Sequence, residues 1–265
     1  MPRRLDDWLT NYLKYVDHTE PPLQFHVWCA VSAIAGALQR RVFIDFEGIH
    51  FPNHYVILVG PSGTTRKGGA IRRASYFLKE LEPYQVKLIK GNRVTKERLV
   101  MDLAACTVQY SDMEGNQLQQ NAATHIVPEL ATFIGHQDIA LLAWLTDWWE
   151  SDEHWEDRTK TAGIAVVDHM CYNLLGAAAP DWFESMLPKE AIGGGFTSRC
   201  IFVYGHRKRK VVIPRKPTAS EETLRTYLLE DIFDMMNLVG EFTITPSALN
   251  VYTCLLYTSP SPRDS

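Results

Sequence analysis

Between residues 60 and 68 the chain reads Gly60-Pro61-Ser62-Gly63-Thr64-Thr65-Arg66-Lys67-Gly68. A glycine-rich loop presents several backbone N–H groups to one point, and a helix starting there adds its positive end. Such donors suit a phosphate, and the ammonium of Lys67 would neutralise its charge. The spacing departs from the phosphate-loop pattern G-x-x-x-x-G-K-S/T. Thr65 replaces the last glycine, Lys67 lies one position late, and Gly68 stands where a serine or threonine would hold magnesium. A plain glycine turn is the other reading of the same residues.

Three further groups carry possible chemistry. Residues 124–135 (THIVPELATFIG) read as an apolar strand ending in an acid. Glu129 there is the candidate carboxylate for orienting water or a metal, as phosphoryl transfer requires, or else a surface glutamate at a strand end. Asp112, just past another strand, is its rival. Asn173, in CYNLLGAAAP, is placed to hydrogen-bond an attacking water or terminal phosphate, or to satisfy buried backbone. Arg199 closes Gly193-Gly194-Gly195-Phe196-Thr197-Ser198-Arg199. It reads as an arginine finger for its own or an adjacent subunit, or as an ion-paired arginine at the core edge.

The elements that must hold these residues follow from hydrophobic period. Residues 5–16 have helical spacing, and 23–38 form a longer, mostly apolar helix after Pro21-Pro22. Residues 41–46 read as a strand. The continuous apolar run 54–59 (HYVILV) reads as a central parallel strand covered on both faces. A helix over 70–81 follows the glycine loop. Strands are expected at 86–89, 106–110, 125–128, 172–177 and 200–204, with helices at 95–104, 139–149 and 218–238. The polar stretch 112–123 is expected to be a surface excursion. Short strands alternating with helices argue α/β with a largely parallel sheet.

Composition narrows the function class. The chain has 265 residues, 46% of them hydrophobic, and a net charge of -4. That balance excludes a general nucleic-acid sponge, so any DNA contact would be local. The one basic cluster, His206 to Lys210, reads as a solvated loop or a local DNA contact. Five cysteines form no CxxC pair, and four lie in or beside apolar runs, which favours a reducing compartment. With no signal peptide and no apolar stretch of spanning length, a cytoplasmic protein with no membrane contact is expected. The tryptophans Trp144 and Trp148 have core spacing, and the histidines show no metal-ligand spacing.

At these residues the chain resembles the P-loop ATPase domain of unknown function found in phage and plasmid replication proteins. The resembling pieces are WCAVSAIAGALQRR (28–41), PNHYVILVGPSGTTRK (52–67), VPELATFIG (127–135), NLLGAAAPDWF (173–183) and GGGFTSRCIFVY (193–204). They occur in the family's order. The resemblance implies a RecA- or AAA-like α/β core with a mainly parallel sheet flanked by helices, plus an N-terminal helical segment. It implies ATP with Mg2+, and a helicase-like or replication-initiation role. It maps Lys67 to the phosphate lysine, Glu129 to the catalytic acid and metal site, and Arg199 to the arginine of the family's GF-x-S-R segment. The expected partners are DNA, single-stranded, a primase or other replication protein, and further copies of the chain in a ring. In that family an Arg-Lys pair precedes Ser or Thr; here Gly68 and Gly69 follow.

The chain divides into a helical segment (1–40), a P-loop ATPase core (41–210), a C-terminal helical segment (211–253) and a tail (254–265). The tail begins CLLYTSPSPRD, which matches a translated transposon-type sequencing adapter (TGT CTC TTA TAC ACA TCT). The natural protein is therefore expected to continue past Thr253. An ATP-hydrolysing motor and a non-hydrolysing scaffold that assembles with a primase or DNA are both open on these residues. A DNA-cutting packaging ATPase would need an acidic nuclease cluster, which the sequence lacks.

Overall fold

Five parallel strands form the centre of the molecule. The computed structural model describes residues 3–91, 94–135, 138–159, 163–182, 195–213 and 215–258. The strands are β3 (Tyr55–Val59), β4 (Leu88–Lys90), β6 (Gln117–Val127), β9 (Cys171–Ala178) and β10 (Cys200–Tyr204). They lie in the order β10-β3-β9-β6-β4. The first of these five in the chain, β3, is thus flanked by the last two; the connection from β3 runs to β4 at one edge, and the one from β9 crosses to β10 on the other side.

Side chains alternate across this sheet. Val56 and Leu58 of β3 join one buried cluster, while Tyr55, Ile57 and Val59 join another. Each fully buried Val, Leu or Ile contributes about 1.5–3 kcal/mol, which explains why this segment is apolar throughout. The first cluster lies under α1 (Trp8–Tyr15), α2 (Leu23–Leu38), α3 (Lys67–Leu81) and α7 (Ala219–Met236). It therefore draws on all three segments into which the sequence divides ahead of the tail. The second cluster lies under α4 (Lys96–Ala105), α5 (Leu130–Ile134) and α6 (Ile139–Trp149). The result is an α/β molecule with a mostly parallel central sheet between helices.

Caps place the helix starts. Asp7, Thr95 and Asp138 each accept a backbone N–H of the first turn of α1, α4 and α6. Thr218 and Glu221 form a capping box on α7. α2 lies close to the sheet at Gly36, where an added Cβ would stand 2.5 Å from Thr124 Oγ1.

The expected surface excursion at 112–123 is corrected. Only the turn after β5 (Thr107–Ser111) is exposed loop; Gln117–Val127 is one long strand whose first half pairs antiparallel with β5. Gln117 and Gln119 are exposed, but Gln120 and Asn121 are buried because distant groups satisfy them. Gln120 donates to Gln39 Oε1 at 2.9 Å and accepts the Arg40 N–H. Asn121 donates to Ala104 O and accepts the Asp168 N–H. A further antiparallel pair, β7 (His154–Thr159) with β8 (Gly163–Asp168), lies where hydrophobic period predicts no element. β1 (Val42–Asp45), β2 (Ile49–His50) and β11 (Gly240–Glu241) make a small separate sheet. α8 (Pro246–Thr258) carries the first tail residues on an exposed helix; residues 259–265 lie outside the described ones.

Candidate functional site

In an open parallel sheet, ligands bind beyond the carboxyl ends of the strands, where connections diverge. That point here is the end of β3. Gly60 continues the strand, donating its N–H to Ala178 O at 3.2 Å, and the Gly205 N–H donates to Val59 O at 2.8 Å. A Cβ at Gly60 would come within 2.5 Å of Gly205 O, so only glycine lets the two backbones approach so closely.

From there Pro61, Ser62, Gly63 and Thr64 turn outward, and Gly63 takes φ +73°. Thr65 folds back and is buried, its hydroxyl donating to Pro61 O at 3.1 Å. Arg66 adopts the left-handed region (φ 57°, ψ 33°) immediately before α3. A non-glycine residue there costs on the order of 1–3 kcal/mol, which surrounding contacts must supply. They come from Glu20, whose carboxylate binds Arg66 Nε at 2.8 Å and Lys208 Nζ at 3.0 Å. The Lys208 N–H also donates to Thr64 O at 3.1 Å. The lysine and arginine bonds hold the Glu20 carboxyl below its ordinary range, Lys208 most of all.

Within the basic cluster, His206 and Arg207 are exposed, as a solvated loop would be, while the next three residues are engaged. Lys208, Arg209 and Lys210 form a strap that ion-pairs with Glu20 and Asp17 and braces the glycine loop.

Lys67 is the first residue of α3, and its ammonium is half-buried against Gly60 O and Pro61 O. Burial lowers its pKa, while the nearby Glu129 carboxylate works in the opposite sense. Gly68 follows with open space where a Cβ would stand. Glu129 occupies the N-cap position of α5, and its carboxylate does not cap the helix. Val127 pairs with Gly176, and Ala178 with Val59. Glu129 is therefore level with the end of β3, two strand spacings away, or about 10 Å. The loop from Gly60 through Gly68 and Glu129 are brought to one edge. Asp181, just past β9, shares that edge; sequence reading missed it, although its place after a buried strand is the same signal that marks Glu129.

Asn173 and Arg199 are not brought there. Asn173 lies near the start of β9, and its carboxamide oxygen accepts the His54 N–H at 2.8 Å. Five residues of strand, about 16 Å, separate it from the carboxyl edge. Its reading as a phosphate sensor is set aside in favour of the backbone-satisfying one. Arg199 precedes β10, whose Cys200 pairs with Tyr55 at the same far edge. It ion-pairs with Glu150, lies over the Trp149 ring and donates to Gly195 O at 3.1 Å. It cannot reach the loop of its own chain. Gly193 and Gly194 of that segment lie outside the described residues. Asp112 is likewise removed: its carboxylate closes the β5–β6 turn on the Glu114 and Asn116 N–H groups.

ATP and Mg2+ fit this edge unequally. The loop amides, the α3 terminus and Lys67 suit phosphate oxygens. For magnesium the protein offers Glu129; among the described residues no group of three or more His, Cys, Asp or Glu could hold a metal. Mg2+ is commonly held by one or two carboxylates together with substrate phosphates. Among the described residues no helix is long and apolar enough to cross a membrane. Compared with known proteins, the chain matches no family model and no curated relative.

Proposed function

We propose that the chain binds ATP at the Gly60–Lys67 loop and hydrolyses it as the ATPase of a helicase-like protein of mobile-element DNA replication. The observation that carries the nucleotide reading is the placement of that loop, Lys67 and Glu129 at one sheet edge, beyond the central strand. The RecA- or AAA-like class and the replication role rest on the family resemblance.

The loop N–H groups and the α3 terminus receive the phosphate oxygens, and Lys67 moves from Gly60 O to neutralise them. Glu129 orients the attacking water by accepting its hydrogen bond. Mg2+ would be held by Glu129 together with the nucleotide's phosphates, and would supply neutralisation of their charge. Arg199 acts on a neighbouring copy, since its own loop is out of reach; this favours a homo-oligomeric ring. Mixing Lys67→Ala with Arg199→Ala chains tests that: two inactive proteins should regain ATPase activity together. No recovery, with each variant folded and oligomeric, refutes the shared site.

Gly68 favours the second reading, a nucleotide-binding scaffold that does not hydrolyse and that partners a primase or DNA. Phosphate release with and without single-stranded DNA separates the two: turnover supports the motor, and binding without turnover supports the scaffold.

A further inference from the structure

A pocket of about 660 Å3 opens beside the glycine loop. One wall is the start of α3, from Arg66 and Gly69 to Arg73 and Tyr76. The second is the turn between α1 and α2, including Tyr15 and Glu20. The third comes from Val212, Ile213, Arg215 and Pro217, with Arg225 of α7. Its volume lies in the range of small-ligand sites.

The lining is unusual in its charge. Arg66 and Arg215 are paired with Glu20 and Glu221. Arg72, Arg73 and Arg225 have no carboxylate partner among the described residues. Arg73 instead lies over the Tyr15 ring and 3.5 Å from its hydroxyl. Arg225 lies over the Tyr76 ring. Guanidinium planes and tyrosine faces are the surfaces on which nucleobases stack, and the same guanidinia bond phosphate and ribose oxygens. Arg73 and Tyr76 stand about 9 and 14 Å along α3 from Lys67. A nucleoside extending from a triphosphate at the loop would enter this pocket.

We infer that this pocket holds the base and ribose of the nucleotide, with Arg73 and Arg225 as its binding residues. The inference rests on the phosphate-loop reading above. The basic strap at 208–210 is already spent on Asp17 and Glu20, so a run of polynucleotide finds no continuation of positive charge there. A single nucleotide, reaching in from the glycine loop, is the ligand that this open pocket takes.

Calorimetry on the full chain with Mg2+ tests this with two probes, ATP and inorganic tripolyphosphate. The unaltered chain should bind ATP at least tenfold more tightly than tripolyphosphate. Arg73→Ala, and separately Arg225→Gln, should weaken ATP roughly tenfold while leaving tripolyphosphate within about twofold, as loss of a charge-assisted contact implies. Thermal melting confirms folding, and Arg225→Gln serves if Arg73→Ala does not fold. Equal loss of both probes, or no change in either, overturns the inference and leaves the loop reading standing. So does equal affinity of the unaltered chain for ATP and tripolyphosphate. If the unaltered chain binds neither probe, the phosphate-loop reading fails and takes this inference with it.

Discussion

Two single residues decide what the site can do. Gly68 leaves space but supplies no hydroxyl. Gly68→Ser restores a magnesium ligand of the ordinary phosphate-loop type, and Mg2+-dependent turnover should rise about tenfold or more. Steady-state phosphate release checks this; unchanged or lower turnover would count against the assigned geometry. Glu129→Gln keeps the shape and removes the base. Hydrolysis should fall by about 10²–10⁴, with ATP affinity within a few-fold by calorimetry. The place of Glu129 at the carboxyl edge of the sheet was legible in the sequence because an acid just after a buried apolar strand adds nothing to the core and sits where the chain turns out of the sheet. Asn173 misled because its residue type was right and its end of the strand was wrong. Strand direction fixes which end meets a ligand, and one residue number does not reveal it.

At the scale of elements, α1 and α7 are held together by contacts between residues far apart in the chain. Asp231 of α7 is buried and accepts the Arg4 and Leu5 N–H groups at 2.7 and 3.0 Å. Trp8 donates to Leu228 O nearby. Asp231→Ala leaves those donors unpaired, at a cost of about 2–3 kcal/mol, and should lower Tm by about 5–10 °C. A melt within about 1–2 °C of the parent would show that α1 is anchored mainly by packing. The strands β3 and β9 and the helix α2 were readable because burial on both faces, or around most of a helix, demands continuous apolar sequence. The first half of β6 was not. Its Gln120 and Asn121 look like loop residues until Gln39, Ala104 and Asp168 arrive from elsewhere in the fold. The bracing strap was hidden for the same reason, since its acids lie almost 190 residues away.

For the whole molecule, burial of two imidazoles sets a pH dependence. Desolvation lowers His26 to about 3 and His125 to about 4. His125 Nε2–H donates to Gly91 O, so Nδ1 accepts the Tyr172 hydroxyl, a neutral arrangement. Both groups take up protons on unfolding below their ordinary value near 6.5. Their stabilisation is therefore complete above about pH 6.5 and declines as pH falls toward 4 and 3, by roughly 4 kcal/mol in all between pH 7 and 5. Urea midpoints at pH 7, 6 and 5 should fall accordingly, and His125→Gln should flatten the slope; a level profile would show that neither ring stays neutral. The account as a whole depends on the loop after β3 holding phosphate with Lys67. The direct measurement is calorimetric titration of ATP with Mg2+ into the intact chain and into Lys67→Ala. Saturable one-site binding that weakens at least a hundredfold in the variant is the expected result. Equal affinity in the two proteins, or no heat in either, contradicts it.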